Sequence, residues 1–208
     1  MAKQEAPLSS LQPYIPDGAL PLVLEYIQLY KVHLTITRER KTVLGDYRHA
    51  INGKNHRISI NGNLNKYSFL ITLIHELAHL ATFLKYGNKV ASHGREWKNV
   101  YRGLLIKFMQ LKLFPADIHQ ALESSLDNLP ASSCADEGLM RILKRYDSPG
   151  KGQVLVEQIA EGSLFVLEGG RVFSKGKRLR KRFQCTEVAT GRLYLFSPIY
   201  EVKPYPIG

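Results

Sequence analysis

The chain has 208 residues, of which 44% are hydrophobic and 10% aromatic, so it can bury a core and is too apolar for a disordered protein. Its formal net charge of +11 suggests a polyanionic partner such as nucleic acid. Its two cysteines, Cys134 and Cys185, are too few for a disulfide framework and too far apart for a zinc ribbon of paired CxxC knuckles.

The N-terminal segment has no apolar stretch of signal-peptide length, so we expect a cytoplasmic protein. The most apolar window, residues 69–84, is shorter than the roughly 20 residues that a bilayer requires. It also carries His75, Glu76 and His79 in its middle, which disfavours burial in lipid. We therefore expect no membrane-spanning segment.

The first half of the chain predicts a helix, a small sheet and then further helices. Residues 18–30 have the apolar spacing of a helix, and residues 31–65 alternate apolar and polar residues between turn signals, which is typical of a small antiparallel sheet. Residues 66–87 predict one long, largely buried helix that ends at Gly87. Two more helices are predicted over residues 92–111, with Ser92 or His93 near the cap, and over residues 115–126, opened by Pro115.

The C-terminal part changes in character. Residues 124–152 are rich in Ser, Pro and Gly around one short helical stretch, which predicts a linker with a docking helix. Short β-like runs between glycine turns predict a small all-β module over residues 153–208. Its expected core residues are Leu164, Val166, Phe173, Phe183, Leu193, Leu195 and Ile199. The predicted fold class is α+β, with residues 1–123 as the main domain.

The long predicted helix carries a pattern typical of a metal site. His75 and His79 are one helical turn apart, so their rings point the same way and can hold one ion. Glu76 lies about 100° around the helix, where a carboxylate can act as general base on a metal-activated water. Without an ion or partners, burying these three ionisable groups would cost several kcal/mol. We therefore favour one catalytic Zn²⁺ over helix residues held by ordinary hydrogen bonds.

The third ligand of such an ion is left open between two residues. Thr82 stands where a metzincin has glycine and Lys85 where it has its third histidine, so that extended motif is absent. His93 and Glu96 both lie at the start of the next predicted helix. Zinc chemistry favours His93, whereas Glu96 would suit a gluzincin arrangement.

Four segments together resemble the SprT-like (Spartan-type) zinc metalloprotease family in order and spacing. They are LGDYR at 44–48, RISIN at 57–61, LIHELAHL at 73–80 and SHGREWK at 92–98, and the resemblance covers about residues 15–125. It implies a zincin-like domain in which His75, His79 and His93 bind zinc and Glu76 is catalytic. By the same comparison Trp97 is expected to pack in the core.

The C-terminal module departs from many members of that family, because it lacks the four cysteines of a zinc ribbon. It resembles the module of bacterial members, with apolar packing in place of the metal. Its run KRLRKRF, read as a strand, would place Arg178, Arg180 and Arg182 on one face. The cationic residues proposed to contact nucleic acid are Lys177, Arg178, Arg180, Lys181 and Arg182. A solvated edge strand is the alternative interpretation.

These observations predict a zinc-dependent peptidase that acts on proteins, including those bound or crosslinked to DNA. The DNA-linked substrate comes from the family resemblance, whereas the sequence supplies only the charge. Two alternatives remain: a nucleic-acid-binding protein that keeps the zinc site as a scaffold, and another metal-dependent hydrolase such as a nuclease.

Overall fold

A computed structural model describes residues 8–40, 42–51, 54–129, 136–148 and 152–205. The chain divides into two compact units, Met1–Tyr146 and Asp147–Gly208. Helices and a small sheet build the first unit and a separate six-stranded sheet builds the second, so the fold is of the mixed α+β type, as predicted. Cys134 lies outside the described residues, and Cys185 is a buried free thiol.

The described part of the first unit contains five α-helices and three strands. In chain order they are α1 (Leu20–Leu29), β1 (His33–Thr37), β2 (Gly45–Arg48), β3 (Arg57–Asn61), α2 (Lys66–Tyr86), α3 (Arg95–Met109), α4 (Ala116–Ser125) and α5 (Glu137–Leu143). Short 3-10 helices cover Leu8–Tyr14, Leu126–Asn128 and Lys144–Tyr146.

The sheet of the first unit has the strand order β1-β3-β2 and is mixed, so the prediction of an antiparallel sheet is wrong in one pairing. β2 pairs with β3 antiparallel, whereas β1 runs parallel to β3. The chain leaving β1 crosses to the far side of β3 before β2 forms, so β3 occupies the middle position. Alternation of apolar residues shows that strands exist but not which neighbours they take.

The long helix α2 is confirmed. It begins at Asn65, whose side chain accepts hydrogen bonds from the backbone N–H groups of Tyr67 and Ser68, and it ends at Gly87, where φ is +61°. Although α2 is long and apolar enough to cross a membrane, 72% of its most apolar window is buried inside the protein. It is therefore the central core helix of the first unit.

The segment predicted as a linker contributes to this core. Leu129, Leu139 and Leu143 are buried in the same apolar cluster as α2. The side-chain amide of Asn65 donates to the backbone carbonyl of Leu143 at 3.0 Å. The boundary between the two units falls after Tyr146, within residues 124–152 that were predicted as a linker with a docking helix.

The second unit is a single sheet with the order β4-β9-β5-β6-β7-β8. Its strands are β4 (Val154–Leu155), β5 (Leu164–Val166), β6 (Val172–Leu179), β7 (Arg182–Glu187), β8 (Leu193–Phe196) and β9 (Glu201–Pro204), and a short 3-10 helix covers Val156–Gln158. The buried cluster consists of Val156, Ile159, Phe165, Phe173, Cys185, Phe196 and Val202.

The predicted core of this unit is correct for Phe173 but has the wrong face for β8. Leu193 and Leu195 are 62% and 55% exposed, while Phe196 on the same strand is buried. On β5, Phe165 is buried in place of its neighbours Leu164 and Val166, which are half-buried. Successive residues of a strand face opposite sides, and here the aromatic residues take the inner side.

Candidate metal centre

Two helices and the connection between them bring three histidines together. His75 and His79 lie one turn apart on α2, and His93 lies in the α2–α3 connection just before Gly94, the residue that caps α3. The Nε2 atom of His75 is 3.2 Å from that of His79 and 3.4 Å from that of His93. One ligand atom from each ring lies within 4.8 Å of the others.

This spacing fits a single metal ion. Two imidazole nitrogens at 2.0–2.1 Å from a tetrahedral ion are about 3.3 Å apart, which is close to both short distances. Imidazole ligands suit zinc, copper, iron or nickel, whereas calcium and magnesium prefer oxygen. Within the described residues the buried Nδ1 of His75 has no hydrogen-bond partner.

The histidines are held in the neutral form that binds metals. Burial, with smaller effects of the neighbouring His79 and His93, lowers the pKa of His75 to about 3. Burial, with a smaller effect of His93, lowers the pKa of His79 to about 4. The pKa of His93 is also lowered by burial. At neutral pH an ion therefore has no protons to displace from these rings.

Trp97 on α3 forms one wall of the centre. Its fully buried indole lies 4.7, 5.1 and 4.7 Å, between ring centroids, from His75, His79 and His93. Tyr101, one turn further along α3, stacks on this indole at 4.9 Å and also contacts the ring of His75. Trp97 was predicted to pack in the core, and it does so against the three imidazole rings. Tyr101 was not predicted, although its four-residue spacing from Trp97 places both on one helix face.

Glu76 is buried on the side of α2 that contacts β2. Its carboxylate accepts a hydrogen bond from the backbone N–H of Tyr47. Burial and, to a smaller extent, the nearby Asp46 raise the pKa of Glu76 to about 8, although Arg40 and the Tyr47 N–H act in the opposite direction. A carboxyl group with a pKa near neutrality is suited to taking up and releasing a proton.

Gly45 on β2 allows this close approach, a role that the sequence did not reveal. A Cβ atom built on Gly45 would lie 2.8 Å from the Glu76 carboxylate oxygen Oε1 and 2.7 Å from Cγ2 of Thr72. A side chain larger than hydrogen at this position therefore requires the Glu76 carboxylate, the Thr72 side chain or the strand to shift.

The structure also locates Tyr47 and Glu96. The hydroxyl of Tyr47 lies 2.9 Å from Nδ1 of His56, which holds this side chain within the β2–β3 hairpin. Burial raises the pKa of Tyr47, so the phenol stays protonated. Within the described residues, the group of possible metal ligands consists of the three histidines and does not include Glu96.

The basic run of the second unit is not one strand, so the prediction of an arginine stripe is wrong. β6 ends at Leu179 and β7 begins at Arg182, with Leu179 paired to Arg182 across a two-residue hairpin turn. Arg180 in this turn has a φ of 48°, a conformation more often taken by glycine or asparagine, so the sequence lacks the usual hairpin signal. All five predicted cationic residues are exposed around the hairpin tip.

Comparison with known proteins gives one match. The model of the SprT-like family matches residues 22–114, which lies within the span of the resemblance drawn from the four motifs and confirms it. This span contains β1–β3, α2 and α3, and with them all three histidines, Glu76 and Trp97. No curated protein and no solved structure matches the chain.

Proposed function

Since residues 22–114 belong to the SprT-like family, we propose that the chain is a zinc-dependent peptidase with a zincin-like catalytic domain. The observation that supports this most is the convergence of three histidine Nε2 atoms. The buried carboxylate of Glu76 follows one of these histidines directly on α2. The proposed substrates are proteins bound or crosslinked to DNA.

In this proposal His75, His79 and His93 hold the ion. A zinc ion bound by three imidazoles supplies Lewis-acid activation, which lowers the pKa of a water molecule toward about 7. The indole of Trp97 packs against all three rings and limits their movement, so the donor atoms are preorganised.

Glu76 is the proposed general base. It accepts a proton from the attacking water and can then deliver it to the leaving amine. The backbone N–H of Tyr47 fixes the carboxylate, and Gly45 gives it room. A bound cation beside Glu76 would favour its charged form and so oppose the effect of burial on its pKa.

The proposed link to DNA comes from the family resemblance and is supported by charge. The chain has 29 basic and 18 acidic residues. The exposed hairpin tip presents Lys177, Arg178, Arg180, Lys181 and Arg182 together, and guanidinium groups pair well with phosphate oxygens.

The test combines metal analysis with proteolysis. Purified protein should contain about one zinc per chain, and Glu76→Gln should keep the zinc but lose cleavage of a DNA-bound protein. His93→Ala should lose the zinc, whereas the matched variant Glu96→Gln should keep it. Full cleavage by Glu76→Gln would remove this residue from the mechanism, and zinc retained by His93→Ala would remove the third ligand.

The basic hairpin tip also supports a second candidate, a nucleic-acid-binding protein that uses the zinc site as a scaffold. Salt-sensitive DNA binding without cleavage of any protein by the zinc-loaded chain would favour it. Chelator-sensitive hydrolysis of DNA, with proteins left intact, would instead indicate a nuclease.

A further inference from the structure

The first unit contains an open hollow whose described lining does not include the three clustered histidines. It has a volume of about 420 Å³ and is lined by His33, Lys54, Asn55 and Arg57. This volume falls within the roughly 300–1,000 Å³ of ligand sites, but the lining is basic and polar rather than apolar. The chemistry of the lining residues therefore suits an anion.

The register of the sheet adds a second, independent observation. Arg57 in the central strand β3 is directly opposite His33 on β1 and Arg48 on β2. All three side chains are exposed. Like charges in directly opposed positions destabilise a sheet unless a counter-charge lies between them.

Arg48, one member of this row, has an acidic partner of its own. The guanidinium of Arg48 binds the carboxylate of Asp46 at 2.8 Å. Within the described residues, no ion pair joins Lys54 or Arg57 to an acidic side chain. The charges of Lys54 and Arg57, which both line the hollow, are therefore available to bind an external anion.

We propose that this hollow binds phosphate groups of a nucleic-acid strand. The guanidinium of Arg57 can grip two phosphate oxygens at once, Lys54 adds a mobile positive charge, and the amide of Asn55 adds a hydrogen-bond donor. The hollow is open to solvent, so the phosphates of a strand can reach it from the surface. No base-reading groups are needed, and the binding is independent of sequence.

Residues of the β2–β3 hairpin both line the hollow and contact the proposed catalytic base on α2. Arg57 follows His56, whose ring holds the hydroxyl of Tyr47, and the backbone N–H of Tyr47 donates to Glu76. A strand bound here therefore lies on the element that positions Glu76. This deepens the proposed function, because it assigns the polyanion of a DNA-linked substrate to a surface of the catalytic unit.

The test measures DNA binding and not cleavage. Its result can therefore be interpreted even if the protein proves not to be a peptidase. The full chain is titrated into a fluorescently labelled single-stranded DNA oligonucleotide at several salt concentrations, and anisotropy is recorded. The variant Lys54→Gln/Arg57→Gln is compared with Lys85→Gln/Lys112→Gln, which removes the same charge from exposed positions of the same unit. Circular dichroism checks that each variant is folded.

The hollow variant should bind about tenfold more weakly, and the slope of log K against log salt should fall by about 1 or slightly more, as expected for two lost phosphate contacts on single strands. The control variant should retain most of the affinity. Equal losses in the two variants would show a diffuse charge effect and overturn the proposal. Saturable binding of inorganic phosphate without any affinity for the oligonucleotide would also overturn it.

Discussion

Substitution of Gly45 by alanine should disturb the proposed general base without touching the metal ligands. The new Cβ would lie 2.8 Å from Oε1 of Glu76, about 0.6 Å short of the 3.4 Å at which ordinary contact begins. It would also lie 2.7 Å from Cγ2 of Thr72, whose hydroxyl is bound to the carbonyl of Ser68 at 2.8 Å. Neither neighbour can turn away without losing a hydrogen bond, so the strand or the carboxylate must shift.

The expected loss of folding free energy and of turnover can be estimated from this steric overlap. Overpacking of a well-packed site typically costs about 1–3 kcal/mol, which corresponds to a urea midpoint lower by roughly 1 M. A displacement of the base by a few tenths of an ångström or more should reduce turnover by roughly ten- to a hundredfold. The zinc content should stay at one per chain, because the ligands are on α2 and the α2–α3 connection.

The measurement is urea unfolding together with zinc analysis and a cleavage assay. Gly103→Ala is the matched control, since Gly103 lies inside α3 with nothing within 4 Å of an added Cβ. That change should be neutral or should stabilise the helix by up to about 1 kcal/mol. Wild-type stability and turnover for Gly45→Ala would refute the contact between β2 and Glu76 and with it the role given to Gly45.

Two further predictions concern the histidines and the predicted linker. The unfolding free energy of the metal-free protein should be highest above pH 6.5 and fall as the pH drops toward about 4, because the unfolded chain takes up protons before buried His75 and His79 can. The measurement is urea unfolding as a function of pH in the Glu76→Gln variant, because the raised pKa of Glu76 changes the unfolding free energy in the opposite direction between pH 4.5 and about 8. An unfolding free energy that does not change with pH would contradict the burial of the two histidine rings. Leu143→Ala should cost about 2–5 kcal/mol, because the side chain is only 2% exposed in the core of the first unit. Leu29→Ala, at a residue 64% exposed, should cost far less, and equal small effects would show that α5 is not part of the core.

The parts of the site that the sequence could predict are those set by helix geometry. A spacing of four residues places His75 and His79 on one face of α2 whatever the rest of the chain does. The choice between His93 and Glu96 depends instead on the path of the α2–α3 connection, which no periodicity encodes. The role of Gly45 depends on how closely a strand approaches a helix, and only the packed structure supplies that distance.

The errors in the β structure have physical causes of the same kind. The parallel pairing of β1 with β3 is a long-range contact that local alternation does not reveal. In KRLRKRF an extended strand would place the three arginines on one face and Leu179 and Phe183 on the other, yet the turn falls at Arg180, which adopts a positive φ without glycine. On β8, Leu193 and Leu195 have the pattern of a buried face, but the aromatic Phe196 occupies the interior.

The wall that Trp97 forms against the three imidazoles has a practical consequence. This residue is the only tryptophan of the chain, so the intrinsic fluorescence of the protein excited at the indole band arises from one buried ring. An ion that enters between those imidazoles changes the charge and polarisability next to that fluorophore. The emission spectrum of the native protein should therefore report the occupancy of the centre directly, without a label.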